Sequence, residues 1–171
     1  MNPIIPQILG MLGLGIIVLS FQCKQNKNFF LMQGLGSFFF FLNFILIGAY
    51  GGAFFNLANL IRGLLYSKNT DKVWKLITVE IIYISCFAFS VYLDSSLQQI
   101  ILTLLPFSAL IVMSVFMWKG NPKHIRFFQI GFMSPTWIVY NCFNLSVGGI
   151  ICESFNMISS AIYLVREKKN K

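Results

Sequence analysis

Glu153 is an ionisable side chain set well inside a long apolar stretch, Val147 to Val165. A carboxylate at such depth costs about 3 kcal/mol to insert into a bilayer, and it usually faces a cavity or a partner. Asn156 follows three residues later, on the same helical face. Asn56 and Asn59 have the same spacing in a second stretch, Tyr50 to Ser67. An amide both donates and accepts hydrogen bonds, as a sugar-like or zwitterionic solute requires. The plainer role for these amides is to bond one helix to another. For Glu153 the sharper reading is a site for a proton or a cationic group of a solute; the plainer one is an acid hydrogen-bonded to a neighbouring helix. Trp137 and Asn141, four residues apart on one helical face, would set an aromatic plane beside an amide. Together Asn56, Asn59, Trp137, Asn141, Glu153 and Asn156 form the candidate solute site. Arg62 and Glu80 lie at matching depths in consecutive apolar stretches and are expected to form a structural ion pair. Alternatively, Arg62 snorkels to the membrane surface. Pro106 and Pro135 interrupt helical backbone bonding and are candidate hinges.

These residues recur in register. Gly51-Gly52 is echoed by Gly148-Gly149, Asn59 by Asn156 and Tyr66 by Tyr163, all at an offset of 97 residues. Phe30, Gly34 and Ser37 match Phe127, Gly131 and Ser134 at the same offset without a gap. Eight identities fall within the 37 positions from 30 to 66. A fixed register over that length points to an internal repeat.

The elements that must position these residues are membrane spans. The 171 residues are 57% hydrophobic and only 11% charged, less than half the charged share of a soluble domain, and mean hydropathy is +0.74. Seven apolar runs are long enough to cross a bilayer: Ile4 to Gln22, Phe29 to Gly48, Tyr50 to Ser67, Val73 to Leu93, Leu97 to Trp118, Ile125 to Leu145 and Val147 to Val165. Each Gly-Gly is expected to mark a very short turn between two spans. The first run has no basic leader and no small-residue cleavage pattern after it, so it reads as a retained span. All 13 Lys and Arg residues fall near the loops after spans 1, 3 and 5 or in the tail after span 7. The loops after spans 2, 4 and 6 contain none of them, only Asp94. Basic residues near span ends stay cytoplasmic, so the N-terminus is expected outside and the C-terminus inside.

The expected fold is therefore all-α: seven transmembrane helices arranged as two parallel three-helix repeats joined by a connecting helix. The first unit covers residues 1–67, the connecting helix 68–96, and the second unit with its basic tail 97–171. Parallel repeats related by an axis along the membrane normal are a known transporter plan, with solute bound near the midplane.

Several classes are disfavoured. No Ser/His/Asp set, zinc motif or phosphate loop is present, so neither an enzyme nor a cofactor or metal site is expected. The single His124 sits in a basic loop. Net charge of +8 reflects cytoplasmic loops rather than a nucleic-acid surface. Cys23, Cys86, Cys142 and Cys152 form no CxxC pair and read as small residues within helices, although Cys142 and Cys152 both lie in the outer halves of their spans and leave a disulfide open.

Two resemblances accompany this reading. Over nearly its whole length the chain resembles small bacterial inner-membrane proteins of the YgjV type. The residues that carry it are Ser20-Phe21-Gln22-Cys23-Lys24, Asn43-Phe44, Gly48-Ala49-Tyr50-Gly51-Gly52-Ala53, Asn56, Arg62, Trp118-Lys119, Trp137 to Asn141, and Glu153. More distantly, the arrangement resembles the SWEET and PQ-loop (MtN3-like) superfamily. That second likeness implies a facilitator of sugars or other small solutes. It also implies an Asn of the pocket on the third helix of each unit, here Asn59 and Asn156, and prolines as hinges, here Pro106 and Pro135. The first unit departs from that pattern, with Gly36-Ser37 where a proline would fall.

The function expected from these observations is transport of a small polar solute across the bilayer by alternating access between two repeats. The contrasting class is a non-transporting membrane receptor or assembly protein. A transporter requires a hydrated cavity lined by Asn59, Asn156 and Glu153, whereas a receptor or scaffold would pack them dry.

Overall fold

The computed structural model describes residues 4–20, 23, 25–68 and 72–169, with Asn26 as backbone only. The Phe21, Gln22 and Lys24 of the expected first span and loop lie outside the described residues, as do Asp71 and Lys171. The described residues form helices joined by short turns, without strands. The helices are α1 (Ile4–Ser20), α2 (Asn26–Ile47), α3 (Tyr50–Tyr66), α4 (Val73–Leu93), α5 (Leu97–Lys119), α6 (Pro122–Phe128), α7 (Ser134–Phe143) and α8 (Val147–Lys169). A π-helical segment, Gln129–Met133, joins α6 to α7 without a break, so seven helical rods result among the described residues. Four of them are long and apolar enough to cross a membrane: Lys27–Ile47 within α2, then α4, α5 and α8.

Large apolar side chains cover the outside, and polar side chains are buried alongside an apolar core. Ser20, Asn43, Ser114, Ser134, Ser146 and Ser160 are fully buried, while Ile, Leu, Phe and Val side chains cover the outside. In α4 the exposed stripe runs Trp74, Ile77, Ile81 and Ile84, and the buried stripe runs Lys75, Val79, Tyr83 and Ser90. Spacings of three and four residues put each set on one face. Hydrocarbon outside and hydrogen-bonding partners inside account for this distribution.

Consecutive rods pack side by side: α1 on α2, α2 on α3, α3 on α4, α4 on α5, and α5 on α7. α7 packs on α8, and α8 returns to α1, closing the bundle. α4 lies beside the α3–α5 seam, tied to α3 by Tyr83 Oη donating to Asn59 Oδ1 (2.6 Å) and Lys75 Nζ donating to the Leu65 carbonyl (2.7 Å). The connections that carry the basic residues, α1–α2, α3–α4 and α5–α6, share one end of the bundle with the tail of α8.

The glycine pairs are not the turns. Gly51-Gly52 and Gly148-Gly149 sit in the first turns of α3 and α8, where they admit close neighbours. A Cβ on Gly51 would meet the Thr103 side chain at 2.5 Å, and one on Gly148 would meet the Gly10 backbone at 2.6 Å. The α2–α3 break falls instead at Gly48, whose φ of +78° is the left-handed conformation glycine adopts freely. Gly48 N–H donates to the Ile45 carbonyl and Ala49 N–H to the Phe44 carbonyl, which is a Schellman ending. The α7–α8 turn repeats both bonds, Leu145 to Cys142 and Ser146 to Asn141, with Leu145 at φ +53°. Leu145 stands 97 residues after Gly48, so the turn is shared and its glycine is not.

This geometry makes opposite predictions for two neighbouring positions. Gly148→Val should destabilise the purified protein by about 1–3 kcal/mol through overpacking against Gly10, while Gly15→Ala, which meets nothing within 4 Å inside α1, should stabilise by about 0.5–1 kcal/mol through helix propensity. Leu145→Gly should raise stability by about 1 kcal/mol by relieving the left-handed backbone. Thermal unfolding midpoints in detergent check all three.

Candidate functional site

A cavity of about 720 Å³ lies along the bundle axis. Asn56, Asn59, Trp137, Asn141, Glu153 and Asn156 all line it. It opens at the end of the basic connections, where Ser67, Lys68, Gly120 and Pro122 form its rim. No close packing joins α3 to α8, and the cavity occupies the gap between them.

The opposite end is shut by hydrogen bonds between rods. Asn43 Nδ2 donates to the Pro6 carbonyl (2.6 Å), and Ser146 Oγ donates to Asn43 Oδ1 (2.9 Å). Gln7 Nε2 donates to the Leu145 carbonyl (2.9 Å), and Val147 N–H donates to Gln7 Oε1 (3.1 Å). Gly52 N–H donates to Tyr140 Oη at 2.6 Å. Beneath these bonds Phe44, Phe55, Trp137 and Tyr140 form an aromatic floor, with Trp137 centred 6.1 Å from Phe44 and 5.6 Å from Tyr140.

α7 and the π-helical segment position the acid. Pro135 has no N–H to donate, and Ser134 N–H reaches back to the Gln129 carbonyl, the wide π bond. Gln129 and Ser134 are thereby turned toward α8. Ser134 Oγ donates to Glu153 Oε2 at 2.6 Å and Gln129 Nε2 donates to the same oxygen at 3.3 Å. Pro135 thus shapes the wall behind Glu153. Pro106 is fully buried inside an unbroken α5.

The amides differ in how they are held. Asn56 Nδ2 donates to the Gly52 carbonyl of its own helix (2.8 Å). Asn59 Oδ1 is engaged by Tyr83, so Asn59 both lines the cavity and fastens α4. Asn141 is 1% exposed, and its Oδ1 has no hydrogen-bond partner.

No direct hydrogen bond joins Arg62 to Glu80, although the two charges lie near enough to act on each other. Ser114 Oγ of α5 donates to Glu80 Oε1, while Glu80 Oε2 and Arg62 Nη1 are each buried without a partner. The reason is helical phase: Glu80 turns to the α4–α5 seam, whereas Tyr83 and Lys75 face α3. Arg62 lines the cavity instead. The four cysteines are free thiols; Cys142 is exposed and Cys152 is buried, so no disulfide joins them.

The candidate site read from the sequence left out Gln129, Ser134, Asn43 and Tyr140. Ser134 had a signal, since it stands 97 residues after Ser37 and precedes Pro135. For Gln129 the decisive cause is the π turn, which no residue pattern announces.

An apolar outer shell, an apolar core with buried polar side chains and a cavity along the axis define a helical membrane protein. A family described as a bacterial inner membrane protein, Imp-YgjV, matches residues 4–171, and the chain belongs to that family. No curated protein and no solved structure matches the chain.

Accessibility should follow the cavity. With the native cysteines replaced, Asn156→Cys should react with a small water-soluble methanethiosulfonate applied to the end bearing the basic connections. Ala49→Cys, buried at the shut end and with no side-chain bond across it, should remain unlabelled.

Proposed function

We propose that this protein carries a small polar solute across the bacterial inner membrane by alternating access, and that the cavity between α3 and α8 is its binding site. The observation that carries this reading is the cavity itself. It is lined by the six polar and aromatic residues, open at one end of the bundle and tied shut by hydrogen bonds at the other. A dry scaffold would have packed those residues against one another.

The reading includes seven spans, with the N-terminus outside and the C-terminus cytoplasmic, because the positive connections share one end. It also includes two parallel three-helix units, α1–α3 and α5–α8, with α4 as the connecting helix. Packing supports this: α3 meets α5 as α8 meets α1, and the approach of Gly52 to Phe44 has its counterpart in Gly149 and Asn141, each 97 residues later. In this arrangement the described conformation faces the cytoplasm. Opening the other side would require release of Asn43, Gln7 and Tyr140 from their partners, with closure of the basic end around the solute.

A thermal-shift survey of the detergent-purified protein against sugars, amino acids, vitamins and cations tests the reading. A bound solute stabilises the folded state by mass action. At least one solute class should raise the unfolding midpoint of the wild type, and Asn156→Ala and Asn141→Ala should each abolish the shift. A wild type that responds to nothing, together with an unreactive Asn156→Cys, would overturn it in favour of a scaffold.

A further inference from the structure

The polar groups of the cavity are sorted along its axis. At the deep end stand acceptors: the Glu153 carboxylate, whose Oε2 is held by the neutral donors Ser134 and Gln129, and the partnerless Oδ1 of Asn141. Nearer the mouth stand donors: Arg62 Nη1 and the Tyr66 hydroxyl, both buried and both without a hydrogen-bond partner. All four residues line the same cavity. Arg62 lies six residues beyond Asn56 on α3, about 9 Å further toward the mouth at the backbone.

Unpartnered polar atoms inside a protein are costly, and a cluster of them calls for an occupant. Asn141 and Tyr66 are 1% and 2% exposed, so bulk water does not serve them freely. A neutral sugar would satisfy hydroxyl-sized sites but would meet neither the Glu153 carboxylate nor the Arg62 guanidinium with an opposite charge. A purely anionic solute would meet Glu153, and a purely cationic one would meet Arg62 on its way past the rim residues Lys68 and Arg126.

We infer that the cavity binds an amphoteric solute, an amine that also carries a carboxylate several atoms away. Its ammonium group is held by Glu153 and the Asn141 amide oxygen at the deep end, and its acid group by Arg62 and Tyr66 toward the mouth. This rests on the cavity being the solute site. The guanidinium gives the acid group a planar, two-pronged partner. The aromatic floor of Trp137 and Phe44 closes the site behind the ammonium group, where a cation meets the negative faces of rings.

The test compares matched ligands on the wild-type protein, so that it needs no variant to fold. Thermal shifts are measured with ω-amino acids of two to six carbons, and with the amine-only and carboxylate-only analogues of the same lengths. Neutral hexoses form a separate arm. The expected result is that one chain length of amino acid stabilises the protein, with each singly charged analogue at least tenfold weaker in apparent affinity. Glu153→Gln should then equalise amino acid and carboxylate, and Arg62→Gln should equalise amino acid and amine, while Arg62→Lys keeps part of the preference. Stabilisation by a hexose, or by a singly charged analogue as strongly as by the amino acid, overturns this inference and leaves the transporter reading standing. No shift with any of these compounds overturns the inference; the reading itself then falls only if the Asn156→Cys variant is also unreactive.

Discussion

The amide of Asn43 is the contact on which the shut end of the bundle depends. Its nitrogen holds the Pro6 carbonyl of α1 and its oxygen takes the Ser146 hydroxyl just before α8, so one α2 side chain joins three parts of the chain. In hydrocarbon no water replaces a broken hydrogen bond, and fully paired groups at a seam resist separation. The glycines make that seam narrow. Gly10 and Gly148 let α1 and α8 touch backbone to backbone, and a Cβ on Gly10 would already meet the Asn43 amide at 3.3 Å. The far end is gathered in this way, and the cavity opens toward the basic end.

The two halves of the bundle are alike at the shut end and unlike at the mouth. Near the turns both use the same hydrogen-bonding pattern and the same glycine approach. Toward the mouth, Gly63 lies against Gly34 and the Phe30 carbonyl in the first half, drawing α2 and α3 together. The second half has Ser160 where Gly63 stands, and a Cβ on Gly131 would meet nothing within 4 Å. The π segment alters the helical phase of α6 at that level. The second half is therefore the looser wall, and it is the one that presents Glu153.

Polar residues serve two purposes here, and Asn59 serves both. Asn59 is bonded to Tyr83, and Glu80 to Ser114; both contacts hold α4 against the bundle. Asn141, Arg62 and Tyr66 have atoms without partners and face the cavity. Depth in the membrane is shared by both groups, so depth alone does not separate glue from site. Glu80 shows this most plainly, since its depth suggested pairing with Arg62 while its helical phase directed it to α5.

The sequence by itself determined the class of protein, the seven helices and their bounds to within a few residues, and the gathering of basic residues at one end. These follow from local physics: apolar length and the 3.6-residue period are properties of consecutive residues. The offset of 97 residues also set Asn56 with Glu153 and Asn59 with Asn156, because equal spacing on two helices is visible without coordinates. Only the tertiary structure decided that the turns fall at Gly48 and Leu145 rather than at the glycine pairs, since a glycine used for close approach and one used for positive φ are the same letter. Only it showed that Gln129 and Ser134 reach Glu153, because the π turn shifts helical phase without a residue code. And only it gave Glu80 a hydrogen bond to Ser114 rather than to Arg62, because which neighbour a side chain meets depends on how rods rotate against one another, a property of the packed bundle and not of any one helix.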